Sequence, residues 1–242
     1  MPYQSHFWRQ QVFTWVIISF ILFGLLTLVA MFCYPGGTMT DATTSGYLFF
    51  SNFFSDLGIT ETYAGQPNTL SAVLFIAALI MAGCGLAVFF IAFRQFFLTS
   101  AAERWFSGIG SCCGVIAGIC FVGVALTPAN LYMDIHLQFV FWAFRAFPLA
   151  VLCYAIAIFF GHRYPRRFAF VFVAFGILLV LYLLLIEQGP DIRTPAGMVI
   201  QATGQKVIVY ATILTVLIQA LGAKQVARER NNTRQNSLVE RR

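Results

Sequence analysis

Residues 70–93 read LSAVLFIAALIMAGCGLAVFFIAF, an apolar stretch with no charged residue and no proline. It is longer than the roughly 20 residues with which a helix crosses the apolar core of a bilayer. One apolar run of similar length precedes it and four follow it, so such runs make up most of the chain. The predicted spans are about 12–33, 70–93, 106–126, 135–160, 167–187 and 198–222.

This pattern predicts an all-α, polytopic membrane protein, a bundle of six transmembrane helices. Composition agrees, because 60% of the 242 residues are hydrophobic and 10% are charged, against about 25% charged residues in an ordinary soluble domain. A water-soluble globular protein is therefore excluded. The predicted domains are a transmembrane domain over 1–223 and a basic tail over 224–242.

The basic residues behind the net charge of +6 are distributed according to the predicted topology. Six spans place both termini on one side, and all lysines and arginines except Arg145, Arg193 and Lys206 fall on that side. By the positive-inside rule both termini are cytoplasmic. We expect an integral protein of the bacterial inner (plasma) membrane, and the basic excess requires no nucleic-acid partner.

The long connection between the first two spans contains an amphipathic stretch. Written as a helix, residues 47–58 place Asn52, Ser55 and Asp56 on one face and aromatic residues on the other. Twelve residues are too few to span a bilayer, which needs about 20. We predict a short interfacial or re-entrant helix over 47–58 on the outer side.

Two bases, Arg145 and Lys206, lie within apolar spans, where each costs at least about 2.5 kcal/mol unless it faces a partner or water. Helical spacing aligns Arg145 with Asp134 and Gln138. We expect both bases to share one polar cavity that is open to the outer leaflet and closed by residues 47–58. The predicted ligand-binding residues are Asn52, Asp56, Asp134, His136, Gln138, Arg145, Glu187 and Lys206, with Asp56, Asp134 or Glu187 as counter-ions.

Candidates for catalysis are few. Ser55, Asp56 and His136 are the residues that could supply a nucleophile and a base, but the sequence contains no Gly-x-Ser-x-Gly and no phosphate-binding glycine loop. The other histidines, His6 and His162, lie in predicted cytoplasmic segments, too far in depth from His136 to share a zinc ion. No metal and no cofactor is predicted, and enzymatic activity stays open.

Small residues recur in the third span at Gly110, Gly114 and Gly118. Such four-residue spacing lets a second helix backbone approach closely. Packing within the chain is the default interpretation, and an oligomer contact is the alternative.

Several short motifs carry a family resemblance: Tyr34-Pro35-Gly36, the stretch 52–58, Asn68 with Ser71, and His136. In this order they resemble the prokaryotic membrane family called domain of unknown function 998. The chain is also distantly similar to the eukaryotic six-span group of the damage-regulated autophagy modulators and the GPI-anchor remodelling factor. The resemblance implies a six-helix bundle and a lipid-related role.

Three function classes follow from these observations. The first is binding or remodelling of a membrane lipid, whose anionic headgroup would suit Arg145 and Lys206. The second is a transporter or channel for a small solute, which the apolar inner halves of the spans disfavour. The third is a structural subunit of a membrane complex, which leaves the two buried bases without a role.

Overall fold

The structure, a computed structural model, describes residues 10–161 and 164–239. Six long helices in these ranges are apolar enough to cross a membrane, which confirms the predicted all-α polytopic bundle. His6, His162 and the last three residues of the predicted tail lie outside the described residues. The helices are α1 (Val12–Cys33), α2 (Thr69–Phe93), α3 (Ala101–Leu126), α4 (Ala129–Phe160), α5 (Arg167–Gln188) and α6 (Pro195–Val239).

The helices form a closed ring. Each packs against the next one along the chain, and α6 returns to pack against α1. From α2 onward, short connections make consecutive helices antiparallel. Because the ring closes, an interior space lies between the helices, bounded at one end by the long connection between α1 and α2. We call residues 34–68 the cap.

Three helix ends differ most from the predicted spans. Helix α3 begins earlier, at Ala101, where Ser100 and Glu103 form a reciprocal capping box. Helix α4 begins at Ala129 and is interrupted at Tyr132, whose dihedral angles are not helical. Helix α6 continues past residue 222 to Val239, because Val226 and Ala227 remain buried in the core.

The small-residue positions of α3 are packed inside the chain. A Cβ atom on Gly118 would lie 2.6 Å from the carbonyl oxygen of Gly83 in α2. Gly110 faces Tyr154 of α4, and Gly114 faces Phe90 of α2. Neighbouring helices of the same chain thus pack on this surface, in line with the default interpretation, and the oligomer contact stays a prediction.

Aromatic side chains fill the bundle at the end opposite the cap. Phe93 lies at the centre of this core, with ring centroids 4.9 Å from Phe89 and 5.0 Å from Tyr154. Phe97 and Tyr164 complete the cluster through edge contacts. The interior is therefore closed by close-packed rings on this side.

The cap corrects the predicted helix over 47–58. Only Phe54–Gly58 is helical, as a 3-10 helix, and before it only residues 49–51 form a turn. The reason is competition from side chains: the Leu48 N–H donates to Asn52 Oδ1, and the Phe53 N–H donates to Asp56 Oδ2. Main-chain groups satisfied in this way do not need the hydrogen bonds of a continuous helix.

Candidate functional site

Asp56 lies at the centre of the cap, with 4% of its surface exposed. Its carboxylate accepts hydrogen bonds from Asn52 Nδ2 (3.2 Å), the Phe53 N–H (2.8 Å) and the Tyr63 hydroxyl (3.4 Å). Burial raises the pKa of Asp56 to about 6, although these hydrogen bonds and the charge of Lys206 act in the opposite direction. The carboxylate therefore organises the cap at a cost in desolvation.

Asn52 is fully buried and joins distant parts of the cap. Its Nδ2 also donates to the carbonyl oxygen of Gly37 at 2.9 Å, which additionally accepts from the Tyr34 hydroxyl. Gly37 has a φ of 87°, a left-handed conformation that favours glycine. The motif residues Tyr34 and Asn52 thus act on the same carbonyl group.

Lys206 connects α6 to the cap. Its Nζ donates to the main-chain carbonyl oxygen of Asn52 and, at 3.3 Å, to that of Ala202. The ammonium also lies 5.3 Å from the ring centroids of Tyr47 and Phe49, within the range of cation–π attraction. Only 1% of Lys206 is exposed, so this base holds the cap against the bundle.

The start of α2 holds the cap from the other side. Asn68 Nδ2 donates to the carbonyl oxygens of Leu57 (3.1 Å) and Ile59 (2.8 Å). The Ser71 hydroxyl donates to the same Leu57 carbonyl at 3.2 Å. These bonds fix the 3-10 helix over the end of the ring.

Beneath the 3-10 helix lies a cavity with about 740 Å³ of space not filled by protein atoms, including its open mouth. Its wall is mainly aromatic and aliphatic, and it comes from α1, α2, α3, α4, α6 and the cap. The lining side chains are Phe20, Phe23, Phe54, Ser55, Phe75, Leu79, Ala82, Leu86, Phe121, Val124, His136, Val140, Phe144, Gln205, Ile208, Val209 and Thr212.

Four polar side chains interrupt this wall: Ser55, His136, Gln205 and Thr212. His136 is buried, and its Nδ1 lies 2.7 Å from the carbonyl oxygen of Thr127. Gln205 accepts the Phe54 N–H through Oε1, which ties α6 to the 3-10 helix. The cavity is thus mainly apolar with a few polar side chains, the usual composition of a small-molecule site.

Arg145 belongs to a different group. It forms an ion pair with Glu187 of α5, and its guanidinium stacks 3.3 Å from the Phe141 ring centroid. Lys206 has none of these partners, and neither base lines the cavity. The expected single cavity holding both bases is corrected accordingly: the rotation of each helix about its axis turns Arg145 toward α5 and Lys206 toward the cap.

The family described as "Protein of unknown function (DUF998)" matches residues 27–222. The chain belongs to the DUF998 family. The matched range contains the whole cap and all the cavity-lining residues named above except Phe20 and Phe23. No curated protein and no solved structure matches the chain, and the more distant similarity to the eukaryotic six-span group stays a prediction.

In this DUF998 protein the predicted residues fall into four sets. Asn52, Asp56 and Lys206 form the cap cluster, and Ser55 and His136 line the cavity. Arg145 and Glu187 pair with each other, whereas Asp134 and Gln138 are exposed. The ligand-binding and catalytic roles of these residues stay predictions.

Sequence reasoning did not include Gln205 and Thr212 among the site residues. A signal was present for Gln205, a glutamine inside an apolar span directly before Lys206. Thr212 carries no such signal, because a threonine in a span commonly donates to its own helix, as Thr212 does to the Ile208 carbonyl at 2.8 Å.

Proposed function

We propose that this DUF998 protein binds a membrane lipid, with the lipid's apolar chain in the cavity and its polar end beside Ser55, His136 and Gln205. The observation that carries the proposal is the cavity wall, which is apolar except for the side chains of Ser55, His136, Gln205 and Thr212. An acyl or isoprenoid chain leaves no polar group unpaired against such a wall, whereas a hydrated solute would lose its contacts with water there.

The apolar wall also bears on which part of the lipid enters, since the sequence had favoured an anionic headgroup. A polar cavity would favour a headgroup, whereas the aromatic and aliphatic lining favours the chain. The 3-10 helix of the cap lies over the cavity, and the Gln205 contact to Phe54 joins the two. Binding of the lipid would therefore involve the cap directly.

A solute pathway through the bundle has less support. Below the cavity the core is closed by Phe90, Phe93 and Tyr154, which are 1% exposed or less. The Ser111 and Tyr154 hydroxyls hydrogen-bond to each other there at 2.6 Å, within the close-packed rings that fill this end of the described chain. Lipid binding is thus the better supported class.

We also propose that the cap faces the outside of a bacterial plasma membrane and that both termini are cytoplasmic. The support is the distribution of bases: Arg94, Arg104, Arg166 and Arg167 adjoin helix ends opposite the cap. Positive charge in short loops marks the cytoplasmic side. A lipid would then enter from the outer leaflet.

The test is a pair of matched substitutions on α6. Val209→Phe adds a ring to the cavity wall, and Val207→Phe adds the same ring where the side chain is 53% exposed on the outside of the bundle. Both proteins are purified in a mild detergent and examined by native mass spectrometry. Bound lipid should be lost from Val209→Phe alone, and equal lipid content in both variants would contradict the proposal.

A further inference from the structure

We propose that the ligand of the cavity is an uncharged lipid that carries a hydroxyl group, which donates a hydrogen bond to Nε2 of His136. This inference rests on the proposed lipid-binding function and names the class of lipid. It follows from the donors and acceptors of the cavity wall that are not used in hydrogen bonds to the protein.

His136 has one ring nitrogen committed to the protein. A carbonyl oxygen only accepts hydrogen bonds, so Nδ1, 2.7 Å from the Thr127 carbonyl, must carry a proton. The other nitrogen, Nε2, is then the acceptor of the neutral imidazole. The described residues supply no hydrogen-bond partner for Nε2, and the side chain lines the cavity.

The neutral form of His136 is favoured by its surroundings. The side chain is 6% exposed, and a buried cation without a paired anion is costly. No residue of the cavity wall within the described chain carries a formal charge. Arg145 and Lys206, the bases that would hold a phosphate, are paired elsewhere.

Gln205 supplies the complementary group. The Phe54 N–H can only donate, so the amide oxygen of Gln205 must face it. This contact leaves the amide NH₂ of Gln205 as a donor, and the residue lines the cavity. Thr212 uses its hydroxyl proton on the Ile208 carbonyl, and Ser55 can either donate or accept.

The cavity therefore offers an acceptor on His136 and a donor on Gln205, with no formal charge. An alcohol oxygen matches this pair because it donates one hydrogen bond and accepts others. An ether or ester oxygen leaves Nε2 without a partner, and a carboxylate or phosphate brings a buried charge with no counter-ion.

The test uses three compounds with the same oleyl chain on the full-length protein in lipid nanodiscs. Unlabelled oleyl alcohol, oleyl methyl ether and oleate compete with radiolabelled oleyl alcohol. Oleyl alcohol should bind at least about tenfold more tightly than either other compound, as expected for one buried hydrogen bond lost or one charge buried. In His136→Leu the preference for the alcohol over the ether should fall to about onefold while ether binding persists.

The outcomes separate the two proposals. If none of the oleyl compounds binds, the lipid-binding function itself is wrong. If the methyl ether or oleate binds as tightly as the alcohol, the cavity takes a lipid chain but the hydroxyl assignment is overturned. The wild-type series decides this point even where His136→Leu fails to fold.

Discussion

Lys206 Nζ donates to the main-chain carbonyl oxygen of Asn52, a residue 154 positions earlier in the chain. This contact joins the N-terminal part of α6 to the cap and places a buried ammonium near the buried carboxylate of Asp56. Because Asn52 also binds Gly37 and Asp56, loss of the lysine would affect the whole cap cluster.

Lys206→Met is expected to destabilise the cap. The substitution keeps the apolar length of the side chain but leaves the Asn52 carbonyl without its donor and Asp56 without its nearest cation, a cost of about 2–4 kcal/mol. Thermal unfolding and limited proteolysis within the cap measure the effect. Lys224→Met, at an exposed position of the same helix, is the control; equal stability of the two variants would contradict the prediction.

Asp56 should make the protein more stable at mildly acidic pH. Its pKa of about 6 lies above the ordinary value of 3.8, so the folded state takes up a proton first as the pH falls. The stabilisation that comes from protonating Asp56 is complete below about pH 4. It is lost as the pH rises through 6. Melting temperatures of the wild type and Asp56→Asn between pH 4.5 and 7.5 measure this.

The difference in melting temperature, wild type minus Asp56→Asn, is expected to increase as the pH is lowered over that range. Asparagine keeps an acceptor for the Phe53 N–H but does not titrate. The single variant thus isolates the proton uptake of Asp56 from that of other groups. A difference that stays constant with pH would show that Asp56 is not the titrating group.

Arg145→Gln should leave binding of oleyl alcohol unchanged within about twofold, because Arg145 pairs with Glu187 outside the cavity. Both side chains of this pair are partly exposed, at 34% and 47%. A double-mutant cycle with Glu187→Gln should therefore give a coupling free energy of about 1 kcal/mol or less. Loss of binding in Arg145→Gln would instead show that Arg145 belongs to the ligand site.

The proposed orientation is tested by labelling intact cells with a membrane-impermeant maleimide. Thr43→Cys lies at an exposed position of the cap, and Thr99→Cys lies in the exposed connection at the opposite end. We expect label on the cap cysteine alone, with the wild type as background for the native cysteines. Labelling of Thr99→Cys in unbroken cells would reverse the topology.

Much of the architecture was predictable from the sequence because it depends on local properties. An apolar run of about 20 residues specifies a spanning helix wherever it lies in the chain. The two bases at 145 and 206 were also recognisable as residues that need partners, since a lone charge in a span is costly. The glycine spacing of α3 predicted close helix packing, and Gly118 against Gly83 provides it.

The structure of the cap could not be predicted in this way. The stretch 47–58 has the polar spacing of a helix, yet Asn52 and Asp56 turn their side chains back onto the main chain. That choice depends on Gly37, Tyr63 and Lys206, which lie outside the stretch and approach it only in the folded protein.

The sequence by itself determined six spans, a capped end and two bases that require compensation. Only the tertiary structure decided that Arg145 pairs with Glu187, that Lys206 holds the cap, and that neither base lines the apolar cavity. The physical reason is that hydropathy and spacing measure position along a helix, whereas the partner of a side chain depends on how each helix is rotated and which neighbour the closed ring places beside it.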